Sequence, residues 1–375
     1  MPGLYIHIPF CVKKCKYCDF VSFQNRDEFK DRYINCLIKE AAEYKGENID
    51  TVFIGGGTPT TLSCVQLEKL LSALRENFNI DKNAEITCEM NPGTADKDKL
   101  WVLKRCGVNR LSMGVQSFCD DELKKIGRIH TAAQAEGAIR EARECGFENI
   151  SIDLMSALPS QTFESFKKTL LHAVEKNPEH ISCYSLILEE NTPLYAEYEA
   201  GKLILPSEDD ERDMYEFACN FLEKNGYAQY EISNFAKEGK CSRHNMKYWQ
   251  CREYIGLGIA AHSYYKGVRY YNTSDLPVYL SGNFHSDGKI TLTLEDKIEE
   301  FMIMGLRMTA GISRTEFKRR FNISVDDVFR EEIKKFVSGG FLCDDGENIR
   351  LSRKGISVSN SVMCEFAVCN IKKNI

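Results

Sequence analysis

Along the first 190 residues, short apolar runs alternate with segments whose apolar positions recur at helical spacing. The runs lie at 4–8, 51–54, 85–88, 110–115, 150–154 and 181–188, and the helical patterns between them at 29–44, 64–78, 97–106, 132–145 and 163–176. Short apolar runs set between helical patterns read as strands. Strand–helix repeats joined by right-handed crossovers give a parallel sheet with helices outside it. Six such units predict an α/β fold, an incomplete (β/α)6 TIM-type barrel, with an open doubly wound sheet as the alternative.

The pattern changes after residue 190. A charged helix is expected over 208–224 and a strand over 227–232, followed by an irregular stretch containing His244-Asn245-Met246-Lys247-Tyr248-Trp249 and Gly256-Leu257-Gly258-Ile259-Ala260-Ala261-His262-Ser263. From about 294 the chain turns helical, with helices over 313–321 and 325–338 and a glycine-containing two-strand wing over 341–351. The predicted organisation is a barrel core over 1–190, a completing segment over 191–290 and a C-terminal helical, winged-helix-like domain over 291–375.

Catalytic groups of barrels sit just past the carboxyl ends of the strands. The first run leads into a loop with Cys11, Cys15 and Cys18, and the second into Gly55-Gly56-Gly57-Thr58-Pro59. The third ends at Glu89-Met90-Asn91-Pro92, the fourth at Gln116 and the fifth at Asp153. Five successive strand ends with polar or glycine-rich features place a site on one rim.

The cysteine spacing carries most of the chemistry. Iron–sulfur clusters are commonly held by four cysteines. Three thiolates on one short loop can hold three irons of a [4Fe–4S] cluster and leave the fourth open. Structural zinc is the alternative, but it takes a closed tetrahedral set, usually two ligand pairs far apart in sequence. No second Cys-x-x-Cys or His-x-x-His pair follows here. An open iron invites a bidentate ligand, and S-adenosylmethionine offers an amine beside a carboxylate, a pairing that supports radical chemistry. Glycines 55–57 would let backbone approach the methionyl amine, although a tight turn explains one of them. Glu89 and Asp153 are candidate acceptors for amine or ribose hydroxyls, or else helix caps; Gln116 and Arg128 are candidates for ribose and carboxylate.

Composition narrows the classes. The 375 residues are 43% hydrophobic and 28% charged, the proportions of a soluble globular chain, with a net charge of −6 that gives no general attraction to nucleic acid or anionic lipid. The helix over 325–338 mixes Asp326, Asp327, Glu331 and Glu332 with Arg330, Lys334 and Lys335, so no basic face marks a nucleic-acid partner. No apolar run approaches the ~20 residues of a membrane span, leaving peripheral membrane association at most. The chain enters its first strand within a few residues, so neither signal nor transit peptide is expected. Of the 16 cysteines, those outside the loop, such as Cys36, Cys106, Cys145 and Cys219, are scattered singly and read as small buried apolar residues. Reduced thiols imply a reducing cytoplasm.

The Cys-x-x-x-Cys-x-x-Cys loop together with Gly-Gly-Gly-Thr-Pro resembles the radical S-adenosylmethionine superfamily. The strings Tyr5-Ile6-His7-Ile8-Pro9-Phe10-Cys11, Gly114-Val115-Gln116-Ser117-Phe118 and Ile152-Asp153-Leu154 resemble the oxygen-independent coproporphyrinogen III oxidases, and the similarity spans nearly the whole chain. It implies cluster ligation by Cys11, Cys15 and Cys18. It also implies an S-adenosylmethionine site lined by Tyr5, Gly56, Gly57, Thr58 and Glu89, with Tyr17, Gln116, Arg128 and Asp153 around it or around a second cofactor position.

Two departures separate the chain from the oxidases. Phe20 stands where their pattern carries a fourth cysteine, and the sequence begins a few residues before the first strand where they carry a longer arm. Both departures, and the His-Asn-x-x-Tyr-Trp string at 244–249, resemble the HemW branch of heme chaperones. That resemblance implies binding of heme and its delivery to acceptor hemoproteins such as respiratory enzymes; the oxidase activity is the alternative, and a homodimer is possible. His244 and His262 are the candidate heme ligands, imidazole being the usual proximal ligand, with Tyr248 and Trp249 placed to stack on a porphyrin. A structural histidine beside core aromatics is the plainer reading of His244. Cys241 and Cys251 flank the string as further candidates.

Overall fold

A computed structural model describes residues 1–367. Six parallel strands follow one another in sheet order: β1 (Gly3–Ile8), β2 (Asn48–Gly56), β3 (Asn79–Met90), β4 (Arg110–Gln116), β5 (Ile150–Ser156) and β6 (His180–Ser185). Helices Lys30–Ala42, Cys64–Asn77, Lys97–Arg105, Ala132–Glu144 and Phe163–Glu175 connect them. Three of these helices open on reciprocal capping boxes, Ser63 with Gln66, Thr131 with Gln134 and Thr162 with Ser165, which satisfy backbone donors that the helix itself cannot.

Every residue of β4 is buried, yet its two faces differ in chemistry. Leu111, Met113 and Val115 belong to the hydrophobic core, as do Leu4, Ile6 and Ile8 of β1 and Ile150, Ile152 and Leu154 of β5. Arg110, Ser112, Gly114 and Gln116 line the barrel interior instead. The period of two is visible in the sequence, where apolar residues at 111, 113 and 115 alternate with polar residues or glycine, although neither face meets bulk water.

The incomplete six-unit barrel is observed, within a larger open sheet of 12 strands among the described residues. Past β6, the strands β7 (Ala228–Glu231) and β8 (Asn234–Ala236) pair antiparallel. On the opposite side β9 (Tyr254–Leu257) pairs with β1 in parallel, and β10 (His262–Tyr265), β11 (Val268–Asn272) and β12 (His285–Thr291) continue antiparallel. The stretch expected to be irregular therefore supplies a seventh parallel strand and an antiparallel flank. β9 has four residues, one of them glycine, too short to show a period, and its pairing with β1 is set by tertiary contact. His244–Trp249, also expected to be irregular, falls in a short helix, Arg243–Trp249, capped by the Ser242 hydroxyl. The run expected over 181–188 ends as a strand at Ser185.

A second core, with Phe301, Leu306, Phe317, Phe329, Phe336 and Ile349, joins helices Leu294–Leu306, Arg314–Phe321 and Val325–Ser338 to a three-stranded sheet. This is the expected winged-helix-like arrangement with one additional strand, Ile312–Ser313. Arg307 links it to the main sheet, 3.5 Å from Glu231 and stacked over the Trp249 ring at 4.5 Å.

One buried carboxyl fastens the antiparallel flank. Glu40 accepts from the Tyr279 hydroxyl and Asn272 Nδ2, each at 2.5 Å, and from Gly258 N at 2.9 Å. Burial nevertheless pushes its pKa up to about 7, the three hydrogen bonds only partly offsetting the cost of the charge. A raised folded-state pKa gives stability that is complete below the unfolded value and lost as pH rises through about 7. Glu40→Gln cannot ionise, so its melting temperature relative to the unmodified chain should climb steadily between about pH 5 and pH 8. Thermal unfolding followed by circular dichroism across that range checks this; a constant offset would contradict it.

Candidate functional site

The cysteine loop is clasped to the strand ends by backbone. Phe10–Cys11 pairs with Phe23–Gln24, Gly57 N donates to Ile8 O, and Thr58 N donates to Phe10 O, both at 2.8 Å. Gly56 has φ +105°, and a Cβ there would stand 2.5 Å from the His7 ring; one at Gly57 would meet the Ile8 and Phe10 carbonyls at 2.9 Å. Here glycine is required both by conformation and by close packing.

A cavity of about 370 Å³ opens inside this rim. The Cys11, Cys15 and Cys18 thiols line one part of it, and Tyr17, Gly56, Gly57, Glu89, Gln116, Arg128 and Asp153 line the rest. Among the described residues no three His, Cys, Asp or Glu side chains are placed to share a single metal ion.

A polar relay holds the thiols. Arg128 Nη1 donates to Cys15 Sγ at 3.3 Å, while Nη2 donates to Asn91 Oδ1 at 2.7 Å and to the Gly114 carbonyl. Asn91 Nδ2 donates to Thr58 Oγ1 at 2.8 Å, and Thr58 Oγ1 donates to Cys11 Sγ at 3.7 Å. Thr58 thus stands behind the loop and touches the site through Cys11. Burial opposes the Arg128 charge, but Tyr17 and Cys15 outweigh it and raise its pKa. Burial also raises the Cys11 and Cys18 thiols, against the Thr58 hydrogen bond in the first case.

The carboxyls lie deeper. Glu89 accepts from Gly56 N at 3.1 Å; burial, with Asp153 adding, pushes its pKa up to about 8. Burial likewise raises Asp153, against hydrogen bonds from Ser182 and Ser112 and the charges of Arg110 and Arg128. Gln116 is fixed at φ +68° where the β4–β5 register shifts, and accepts from the Tyr184 hydroxyl at 3.2 Å. A buried non-glycine residue in the left-handed region at a strand end carries strain of the sort that collects at functional sites.

Tyr5 faces elsewhere. Its hydroxyl lies 3.0 Å from His7 Nδ1, and it lines a neighbouring cleft of about 390 Å³ with Phe20, Tyr248, Tyr254 and His262. Phe20 lines both cavities and is 60% exposed. His262 is solvent-exposed, with its ring stacked on Tyr271 at 5.3 Å. His244 is 1% exposed, and both ring nitrogens are engaged, Nδ1 with Thr51 Oγ1 and Nε2 with the Tyr248 hydroxyl, each at 2.9 Å. Burial lowers its pKa to about 3, with Lys247 and Arg110 contributing. That is the arrangement of a satisfied structural histidine, and Tyr248 is occupied in maintaining it. Trp249 is covered by Arg307.

Sequence reasoning did not single out Asn91, Arg110 or Tyr184 as site residues. Asn91 stood in a noted strand end, and an arginine opening an apolar run was a signal for the second. Nothing in the pattern marked Tyr184.

With this geometry in hand, comparison with known proteins is specific. The Radical SAM superfamily model matches residues 5–173 and the HemN C-terminal domain model residues 292–358. The fold matches that of Escherichia coli coproporphyrinogen III oxidase, HemN, a radical SAM enzyme, with a TM-score of 0.85 and 28% identity over 97% of this chain and 90% of that one. The heme chaperone HemW of Lactococcus lactis is 40% identical over 98% of this chain and 97% of its own length, that of Bacillus subtilis 39% over 98% and 99%, and that of Escherichia coli 35% over 96% and 97%. The chain belongs to the radical SAM superfamily and, within it, to the HemW heme chaperone family.

Gly56 tests the packing of the rim. Gly46 also has positive φ, +88°, but open space around it, so Gly46→Ala should cost only about 1 kcal/mol of backbone strain. Gly56→Ala adds the collision with His7 and should lower the melting temperature clearly further; equal shifts in thermal unfolding would contradict the close packing.

Proposed function

We propose that the chain is a heme chaperone that carries a [4Fe–4S] cluster on Cys11, Cys15 and Cys18, accepts S-adenosylmethionine at the open iron, and passes heme to acceptor hemoproteins such as respiratory enzymes. The observation that carries this reading is the adjacency of a three-thiol cavity and an aromatic cleft that share Phe20 as a common wall. The setting is a reducing cytoplasm, and the assembly a monomer or homodimer. Among the described residues no helix is long and apolar enough to cross a membrane.

The residues present fit both cofactors. A cubane asks for one thiolate per iron, compatible with three thiols spread along a cavity wall. Arg128 and Thr58 hydrogen-bond the Cys15 and Cys11 sulfurs and fix their positions on the loop. Gly56 and Gly57 bring bare backbone to the mouth, where an amino group can approach, and Glu89 and Asp153 offer acceptors to it or to ribose. Gln116, Tyr17 and Arg128 complete the nucleotide wall. When bound, the pair supplies one-electron chemistry at the sulfonium; the protein's part is to seat the ligand and exclude water.

Of the two heme candidates, the cleft favours His262. His262 lines the cleft, where a neutral imidazole can ligate iron, and Tyr5, Tyr248, Tyr254 and Phe20 line the same cleft, aromatic groups suited to packing on a porphyrin. His244 instead braces the helix Arg243–Trp249 against β2.

Anaerobic reconstitution should load about four irons per chain and permit stoichiometric heme uptake followed by transfer to an apo-hemoprotein. Conversion of coproporphyrinogen III to protoporphyrinogen IX, read by mass spectrometry, would instead establish the oxidase activity suggested by the HemN-like fold. Cys15→Ala should abolish the cluster's visible absorbance while the far-ultraviolet dichroism is kept. His262→Ala should weaken heme uptake or shift the Soret band, whereas His244→Ala should lower the melting temperature and leave the Soret band in place. The reverse pattern would move the ligand to His244.

A further inference from the structure

Arg110 opens β4 and lines the barrel cavity at its floor, six residues before Gln116 at the rim, or roughly 20 Å along the strand. It is 1% exposed, and charges this deeply buried are almost always paired, because removing a guanidinium from water is costly. Among the described residues Arg110 makes no ion pair, and its Nε has no hydrogen-bond partner. Of the other cations along the same wall, Arg128 is engaged with Cys15, Asn91 and Gly114 and Lys14 Nζ with the Phe20 carbonyl at 2.8 Å, while Lys13 is exposed to solvent and needs no partner.

The neighbouring carboxyls do not pair with it directly. Glu89 and Asp153 feel its charge without pairing with it, and burial drives both toward the protonated form, Glu89 up to about 8. Asn234, also on the cavity wall, gives its Nδ2 to Glu231 and leaves Oδ1 buried without a partner. The cavity wall therefore carries a cation without an ion pair and an acceptor without a partner, with Ser112 and Ser182 on the same wall.

We propose that Arg110 is the receptor for a ligand carboxylate at the barrel floor, below the cluster rim. A guanidinium presents paired N–H donors that match a carboxylate in a bidentate fork. The ligand is a carboxylate-bearing organic molecule deep enough in the barrel to lie below the Gly56 rim. Two sources share that chemistry, a propionate of a tetrapyrrole and the α-carboxylate of an amino-acid-derived cofactor molecule other than the one seated at the open iron.

The test uses the anaerobically reconstituted full chain, Arg110→Gln, and Arg110→Lys, which keeps the charge but loses the fork. Binding is titrated with heme, heme dimethyl ester, S-adenosylmethionine and its decarboxylated analogue. The expected result is that one of the two free acids binds Arg110→Gln at least about tenfold more weakly, equivalent to 1.4 kcal/mol, with Arg110→Lys between. The matching ester or decarboxylated analogue should not distinguish the proteins. The acid that shows the difference identifies the source, and equal binding of both acids by all three proteins overturns the inference. Thermal unfolding without ligand gives a second readout: an unpaired buried charge is a cost to the fold, so Arg110→Gln should melt at or above the temperature of the unmodified chain. A clear drop would mean a structural role and would also overturn it. The choice of probes rests on the proposed function, whose failure would appear as absence of binding by the unmodified chain; the melting comparison decides the Arg110 inference in that case too.

Discussion

Arg128 reaches Cys15 with one nitrogen and holds the ends of β3 and β4 with the other, through Asn91 and the Gly114 carbonyl. Asn91 passes the connection on to Thr58, and Thr58 to Cys11. A single buried cation thereby ties the cysteine loop to three strand ends. The tie works in both directions, since a buried guanidinium needs acceptors and thiols in low-dielectric surroundings need a cation or metal to remain thiolates. The shape of the rim depends on that contact.

Around this joint the sheet separates two chemistries on opposite faces of the same strands. Leu111, Met113 and Val115 pack in the core while Arg110, Ser112, Gly114 and Gln116 line the cavity. The result is a polar shaft, with thiols at the mouth, carboxyls below them and a guanidinium at the floor. Polar groups in such a shaft are sustained by one another or by a ligand; those left unmatched in the protein alone mark where ligand atoms are called for. Phe20 closes one side of the mouth and faces the aromatic cleft on its other side, which brings the proposed heme seat to the edge of the cysteine loop.

The cysteine loop, the glycine rim and the polar strand ends were legible because each is a local feature: spacing within a loop, a run of glycines, the residue after an apolar run. The six-unit parallel core was legible for the same reason. What stayed hidden depends on contacts between distant segments. β9 is too short for a periodic signal and is defined by its pairing with β1. His244 looked available because sequence reveals neighbours along a helix, such as Tyr248 one turn on, but not Thr51 arriving from β2 to occupy the other nitrogen. Tyr5 lies in the motif that precedes the cysteines, yet its side chain lines the cleft beside the cavity. Arg110 stands in the polar set of an alternating run, and its burial depends on the neighbouring strands that close around that face.

The central claim is that the cluster keeps one iron free of protein ligands for a sulfonium-bearing nucleotide. Mössbauer spectroscopy of the anaerobically reconstituted, iron-57-labelled chain, recorded with and without S-adenosylmethionine, addresses it directly. The account predicts that one iron of the cluster changes its isomer shift when the nucleotide is added while the other three stay as they were. A spectrum indifferent to the nucleotide, or a chain that takes up zinc in place of iron, would contradict it.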